Sequence, residues 1–338
     1  MLSTASDKFS APESHLAPSP SLPFSASLPL VPHPPSRTAL LLGFLAIYVI
    51  WGSTYLGIRI AVETMPPFLM AGGRFLLAGP ILFVALKLRG AAWPTPAQWR
   101  DHAIVGTCLL LGGNAVVAWA EQTVPSGLTT LILGASPMMM ILMEWLRPGG
   151  TKPTVALWLG LGVGLGGLFI LLGPGALPVG TQPPALSVCA LLFASASWWA
   201  GSLFSKHAKS GAEPMMAAAL QMICGGVVMT LTGLLVGESA RLHVAAISAR
   251  SWVAWTYLVL AGSLLAFPIY VWLLKHSTPA RVSTYAYVNP VVAVILGWAV
   301  LNEPLTPRIA LAATVIIGAV AIITVAKSRG PKLVAQKS

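Results

Sequence analysis

The chain has 338 residues, 56% of them hydrophobic and only 9% charged, with a formal net charge of +11. Soluble domains carry roughly 25% charged residues, so a soluble globule, a disordered protein and a disulfide scaffold are excluded. The excess of 20 Lys+Arg over 9 Asp+Glu does not call for nucleic acid, because cytoplasmic loops of membrane proteins collect Lys and Arg.

Residues 1–37 are dense in Pro and Ser from Ser10 to Ser36. Such a stretch cannot bury enough apolar surface to fold, and it lacks the basic and apolar regions of a signal peptide. It reads as a disordered cytoplasmic tail. Ten apolar blocks follow, at about 39–61, 67–86, 102–120, 126–146, 155–172, 184–204, 215–236, 252–274, 280–301 and 308–326. Each approaches the roughly 20 residues that cross a hydrocarbon core as a helix. Breakers such as Met65-Pro66-Pro67, Pro148-Gly149-Gly150 and Gly173-Pro174-Gly175 separate them. Without water in the bilayer each span must satisfy its own backbone, so these are helices, and the short alternating segments of a membrane barrel are absent. Residues 327–338 form a basic tail. With the N-terminus inside, fifteen basic residues lie on the cytoplasmic side, against Arg59, Arg241, Arg250 and Arg308 outside and Arg74 within a span. Both termini are therefore expected in the cytoplasm. Cys108, Cys189 and Cys224 lie in apolar blocks without metal-like spacing, and no cofactor or metal is expected.

The two halves match at a nearly constant shift. Pro67 and Gly79 correspond to Pro214 and Gly226, Trp119 and Pro125 to Trp272 and Pro279, and Lys152-Pro153-Thr154 to Thr306-Pro307-Arg308. Five spans per half is an odd number, so the second half enters the membrane from the opposite face. The expected fold is an all-α polytopic membrane protein, ten transmembrane helices in two inverted five-helix repeats, at 38–175 and 184–326. Inverted repeats are the architecture of alternating-access carriers, with the substrate near the midplane between the halves.

Several runs resemble one family. They are Tyr48-Val49-Ile50-Trp51-Gly52-Ser53-Thr54-Tyr55, Arg74-Phe75, Ala120-Glu121-Gln122-Thr123-Val124-Pro125-Ser126-Gly127 and Ser283-Thr284-Tyr285-Ala286-Tyr287-Val288-Asn289-Pro290. Together they resemble EamA-type permeases of the drug/metabolite transporter superfamily, in the YedA-like branch, from about Leu40 to Val325. The resemblance implies a ten-helix fold of two EamA repeats in the bacterial inner membrane, exporting metabolites or drugs. One departure is visible, since the counterpart of Asn302-Glu303-Pro304 in the first half is Trp145-Leu146-Arg147-Pro148.

Polar groups inside spans are costly and are functional candidates by default. Arg74, about seven residues into its span, is a candidate to hold an anionic group, or else a structural Arg bonded to carbonyls or Glu63. Glu121, at the outer end of the third span, is read as a solvated interfacial carboxylate or as a cation or proton site. Glu144 is expected to pair with Arg147, and Glu303 with Arg308. The six histidines are placed in the tail or in loops. Trp51 and Tyr55 share a helix face one turn apart. With Trp198, Trp199, Tyr270 and Tyr285 they are expected to line a cavity for flat or apolar amphiphiles, oriented by polar groups that include Ser53, Asn114 and Asn289. Pro137, Pro268 and Pro290 interrupt span interiors and are candidate hinges. Gly160 and Gly164, with Gly162 and Gly166 on the neighbouring face, read as close-packing motifs, within the fold or in a homo-oligomer.

The expected function is export of a small amphipathic substrate by alternating access, with the lipid bilayer as the other partner. Two alternatives stand beside it: a membrane-embedded lipid-modifying enzyme, and a non-transporting receptor or assembly protein. The enzyme alternative lacks a HExxH, a GxSxG and a close pair of acids within spans.

Overall fold

The computed structural model describes residues 36–134, 143, 145–146, 152, 154–172, 183–208, 211–277, 279–282 and 284–328. The expected N-terminal tail, apart from its last residues, and most of the basic C-terminal tail therefore lie outside the described residues, as do Pro137, Glu144, Arg147 and Ser283.

Polar starts and prolines set the helix boundaries. Helix α1 (Arg37–Ala61) begins where Ser36 Oγ accepts from Ala39 N at 3.1 Å. Helix α2 (Pro67–Leu88) opens on a proline, whose missing N–H costs nothing in a first turn. Helix α3 (Pro96–Ala120) starts from a reciprocal pair in which Thr95 Oγ1 accepts from Gln98 N and Gln98 Oε1 accepts from Thr95 N. Helix α4 (Ser126–Gly134) is followed by α5 (Val155–Leu172) and α6 (Ala185–His207). Helix α7 (Pro214–Leu235) is held by Glu213, whose carboxylate accepts from Met215 N and Met216 N at 3.0 and 3.1 Å. Helix α8 (Ala249–His276) starts at Ser248, and α9 (Tyr285–Leu301) stops where Asn302 turns to φ 53°. Helix α10 (Pro307–Ser328) closes the described chain.

Six of these helices, α1, α2, α3, α6, α7 and α8, are long and apolar enough to cross a membrane. Shorter apolar runs lie in α5 (Trp158–Leu171), α9 (Val288–Leu301) and α10 (Pro307–Ala319). Outward faces are as apolar as the core: Leu41, Leu45, Phe169, Phe193 and Val253 are exposed. A helix apolar all round suits a lipid surrounding.

Packing repeats itself between the halves. Helix α2 crosses α7, α5 pairs with α10, and α4 pairs with α9. Helix α1 lies against α8 and α9, while α6 lies against α3 and α4. At the α2–α7 crossing, a Cβ on Gly79 would sit 2.9 Å from Ile223 N, and one on Gly226 would sit 2.9 Å from Leu76 N. Only the missing side chains let these backbones approach so closely. Gly160 and Gly164 are buried, and Gly167 on the same helix packs on Ile316 of α10, which places this small-residue face within the fold; Gly162 and Gly166 are exposed.

Helices α3 and α8 each contain a nine-residue π-helical segment, Thr107–Ala115 and Leu258–Ala266, exactly 151 residues apart. The wider turn rotates the residues beyond it, and such segments recur at functional sites.

The expected acid pairings are replaced by longer reaches. Glu303 does not pair with Arg308. Its carboxylate accepts from Ser126 N (2.8 Å), Ser126 Oγ (2.9 Å) and Gly127 N (3.0 Å), capping α4 across 177 residues of chain. Arg308 Nε donates instead to Ile170 O at 2.6 Å. Glu238, just past α7, caps α2 in the same way through Phe68 N (3.2 Å) and Leu69 N (2.9 Å). A carboxylate at a helix start answers both the unpaired N–H groups and the positive end of the dipole. His102 lies in α3 rather than in a loop, and is buried against α7, with Nδ1 3.3 Å from Gln221 Nε2.

Candidate functional site

The central helices of the two halves enclose a cavity with about 100 Å³ of open interior. Helix α1 contributes Trp51, Thr54, Tyr55 and Ile58, α3 contributes Leu110, Gly113, Asn114 and Val117, and α4 contributes Thr130, Leu133 and Gly134. From the second half come Ala194, Ser195 and Trp198 of α6, Gly262 and Phe267 of α8, and Tyr285, Ala286, Asn289 and Pro290 of α9. Helix α2 adds Arg74 and Phe75; none of the described lining residues comes from α5, α7 or α10. Both π segments border this space.

Four rings make one wall. Trp51 lies 4.7 Å from Tyr270, 5.2 Å from Tyr285 and 5.6 Å from Trp198, the last two edge-on. Such tilted and edge-to-face contacts are the favoured aromatic geometries. Trp198 Nε1 donates to Tyr270 Oη at 3.3 Å, and Ser202 Oγ lies 3.3 Å from the same oxygen. Asn289, 3% exposed, fits its site with the amide turned so that Nδ2 donates to Tyr285 O and Tyr48 O, both at 3.2 Å. The bond to Tyr48 O ties α9 to α1.

The cavity lining also includes one charged side chain among the described residues. Arg74 is 3% exposed, and its Nε and Nη1 have no hydrogen-bond partner. Its Cζ lies 4.3 Å from the centre of the Phe75 ring. Glu63, an expected partner, is exposed on the connection after α1 and forms no ion pair with it. Asn114 Oδ1 and Ser195 Oγ are likewise enclosed without partners.

Of the expected site residues, Trp51, Tyr55, Arg74, Asn114, Tyr285 and Asn289 come together here. Four do not line the cavity. Ser53 Oγ donates to Val49 O and Ile50 O at 2.8 Å and meets Tyr257 Oη at 2.5 Å, so it joins α1 to α8. Tyr270 stands behind Trp51 as part of the wall's backing. Trp199 is buried but points elsewhere, and its neighbour Trp198 takes the cavity position. Glu121 is not a solvated carboxylate: it is fully buried, both carboxylate oxygens lack partners, and Arg59 Nη1 donates to its backbone carbonyl. Among the expected hinges, Pro290 lies inside α9 and lines the cavity, and Pro268 is buried directly after the π segment of α8.

Two positions carry information that spacing alone held in the sequence. Trp51 and Trp198 are 147 residues apart, the separation of Pro67 from Pro214 and of Gly79 from Gly226, and they meet edge-on across the cavity wall. Arg74 stands at the same separation from Gln221.

An all-helical bundle with apolar outer faces and a mixed aromatic and polar central cavity defines a membrane transporter fold. The EamA-like transporter family model matches the chain twice, over residues 37–173 and 185–325, and the chain belongs to that family. It is 38% identical over 283 residues to the "Uncharacterized inner membrane transporter YedA" of Escherichia coli (strain K12), covering 83% of this chain and 89% of that protein. It is 25% identical to the "Uncharacterized transporter YvbV" of Bacillus subtilis (strain 168), over 89% of this chain and 96% of that one. A solved structure titled only "Crystal structure of protein" shares the fold at a TM-score of 0.61 and 21% identity, covering 87% of this chain and all of its own.

Proposed function

We propose that this chain is a permease of the bacterial inner membrane that exports small amphipathic molecules by alternating access. Its ten crossings form two inverted five-helix halves, both termini are cytoplasmic, and the central cavity is the substrate site. The observation that carries this reading is the cavity itself, lined mainly by the first, third and fourth helices of both halves with aromatic and polar side chains. The two successive family matches, the paired π segments and the repeated helix pairings support the two-half organisation. The inner-membrane location draws support from the printed name of the Escherichia coli relative, and the orientation from fifteen basic residues on one side against four on the other. Pro268 and Pro290 are the hinges of the second half, since each lacks an N–H at a point where α8 or α9 borders the cavity.

The test is substrate efflux from cells that express the protein. Trp51→Ala and Asn289→Ala are expected to lower efflux at least about tenfold, the scale of losing a ring or a bonded amide from a binding site. The variants must elute as folded protein in detergent. Undiminished efflux from both folded variants would overturn the site assignment.

A further inference from the structure

We propose that the cavity takes small organic anions, molecules carrying one carboxylate on an aromatic or otherwise apolar body, and that Arg74 holds the carboxylate. This rests on the reading of the cavity as the substrate site and narrows its substrate class.

Arg74 is the sole charged side chain among the described residues lining the cavity. It is 3% exposed, and neither Nε nor Nη1 meets an acceptor. A guanidinium presents its donors as a planar fork that matches a carboxylate two bonds at a time. Stacking on Phe75 at 4.3 Å stabilises the positive charge through the ring face but leaves the in-plane donors unanswered. Among the described residues the one ion pair is Arg100–Asp101, at the start of α3, so no carboxylate among the described residues neutralises Arg74. A buried cation without a counter-charge is costly, and a cavity with a single positive charge in low dielectric attracts anions and repels cations.

The rest of the ligand follows from the aromatic lining. Trp51, Trp198 and Tyr285 offer ring faces and edges, which suit a flat or apolar body. The equivalent position 147 residues on holds Gln221, whose neutral amide turns to His102 instead. The charge is thus a specialisation of one half and no requirement of the repeat. Free inorganic anions would satisfy the fork alone; the ring wall assigns the site to organic ones.

The test uses the purified full-length chain in detergent, with binding read from tryptophan fluorescence and from ligand-induced thermal stabilisation. Four probes separate charge from shape: 3-phenylpropanoate, its neutral amide 3-phenylpropanamide, the cation 3-phenylpropylammonium, and acetate. The carboxylate is expected to bind at least about tenfold more tightly than the amide, the range for bonds to a charged group, and the cation least of all. Acetate, with charge but no apolar body, is expected to bind at least about tenfold more weakly than 3-phenylpropanoate. Arg74→Gln should erase the preference for carboxylate over amide, and Arg74→Lys should keep part of it. The comparison of probes on the unaltered chain stands even where a variant fails to fold. Equal or tighter binding of the amide or the cation would overturn the anion assignment while leaving the cavity as a substrate site, provided Trp51→Ala weakens that binding. Acetate binding as tightly as 3-phenylpropanoate would overturn the organic class. Binding of none of the four would count against both this inference and the cavity reading.

Discussion

Arg74 and Gln221 occupy corresponding places in the two halves, on helices that cross at matching glycines, yet their polar groups meet different surroundings. Gln221 is 1% exposed and does not line the cavity; its Nε2 lies 3.3 Å from His102 Nδ1 of α3, while its neutral Oε1 has no partner. Arg74 is equally buried, lines the cavity and finds no acceptor for Nε or Nη1. The capping acids show what an answered charge looks like in this fold. Glu303 spends its carboxylate on three donors at the start of α4, and Glu238 spends its own on two at the start of α2. Repetition builds the frame, and at position 74 it is broken by an unanswered charge that lines the cavity.

The comparison stands or falls with the α2–α7 crossing, which sets both side chains at their depths. Gly226→Leu would drive a side chain into Leu76 N, 2.9 Å from the added Cβ. Overpacking against backbone has no cheap relaxation, so a loss of about 3 kcal/mol or more is expected. The measurement is the folded fraction by size exclusion in detergent, and a monodisperse variant of unchanged stability would show that the two helices do not cross as described.

Removing an answered charge is the next largest change. Glu303→Ala should cost about 2 kcal/mol, the order for hydrogen bonds to a charged group at a helix start. Denaturation in mixed micelles would detect it. Affinity for the cavity's ligand should stay within about twofold, because stability and binding are being separated and not lost together.

How far these features were legible in the sequence depends on what each one needed. The apolar helices and many of their starts were legible, because apolar length and prolines are local. Arg74, Trp51 and Asn289 stood out as polar or amphipathic groups deep in apolar runs, and that depth survives folding. The choice between Trp198 and Trp199 did not, since neighbours in a helix point about 100° apart and both flanks of α6 are similarly apolar. Ser53 was misplaced for a related reason: a helical serine bonds its own carbonyls on any face. The burial of Glu121 comes from elements packed around it in the fold, and the role of Glu303 from donors 177 residues away. Neither has a local signature. The π segments are written in the same Leu, Gly and Ala as the α-helix around them, so only their 151-residue spacing could have betrayed them.

The smallest expected effect is also the most discriminating, because it sets the two corresponding positions directly against each other. Gln221→Leu deletes one buried hydrogen bond and should cost about 1 kcal/mol with no change in ligand preference. Arg74→Gln makes the two positions chemically alike, and its stability should stay equal or rise by up to about 1 kcal/mol. The sign follows from what each change removes. At position 221 the bond between Nε2 and His102 Nδ1 is lost, which outweighs the relief from removing the unpartnered Oε1. At position 74 a buried cation with no counter-charge is replaced by a neutral amide, which relieves a desolvation cost that nothing in the protein offsets. Thermal unfolding of both variants without ligand gives the comparison. If Arg74→Gln proves the more destabilising of the two, the guanidinium is answered by the fold after all, and its role is to hold α2 in place.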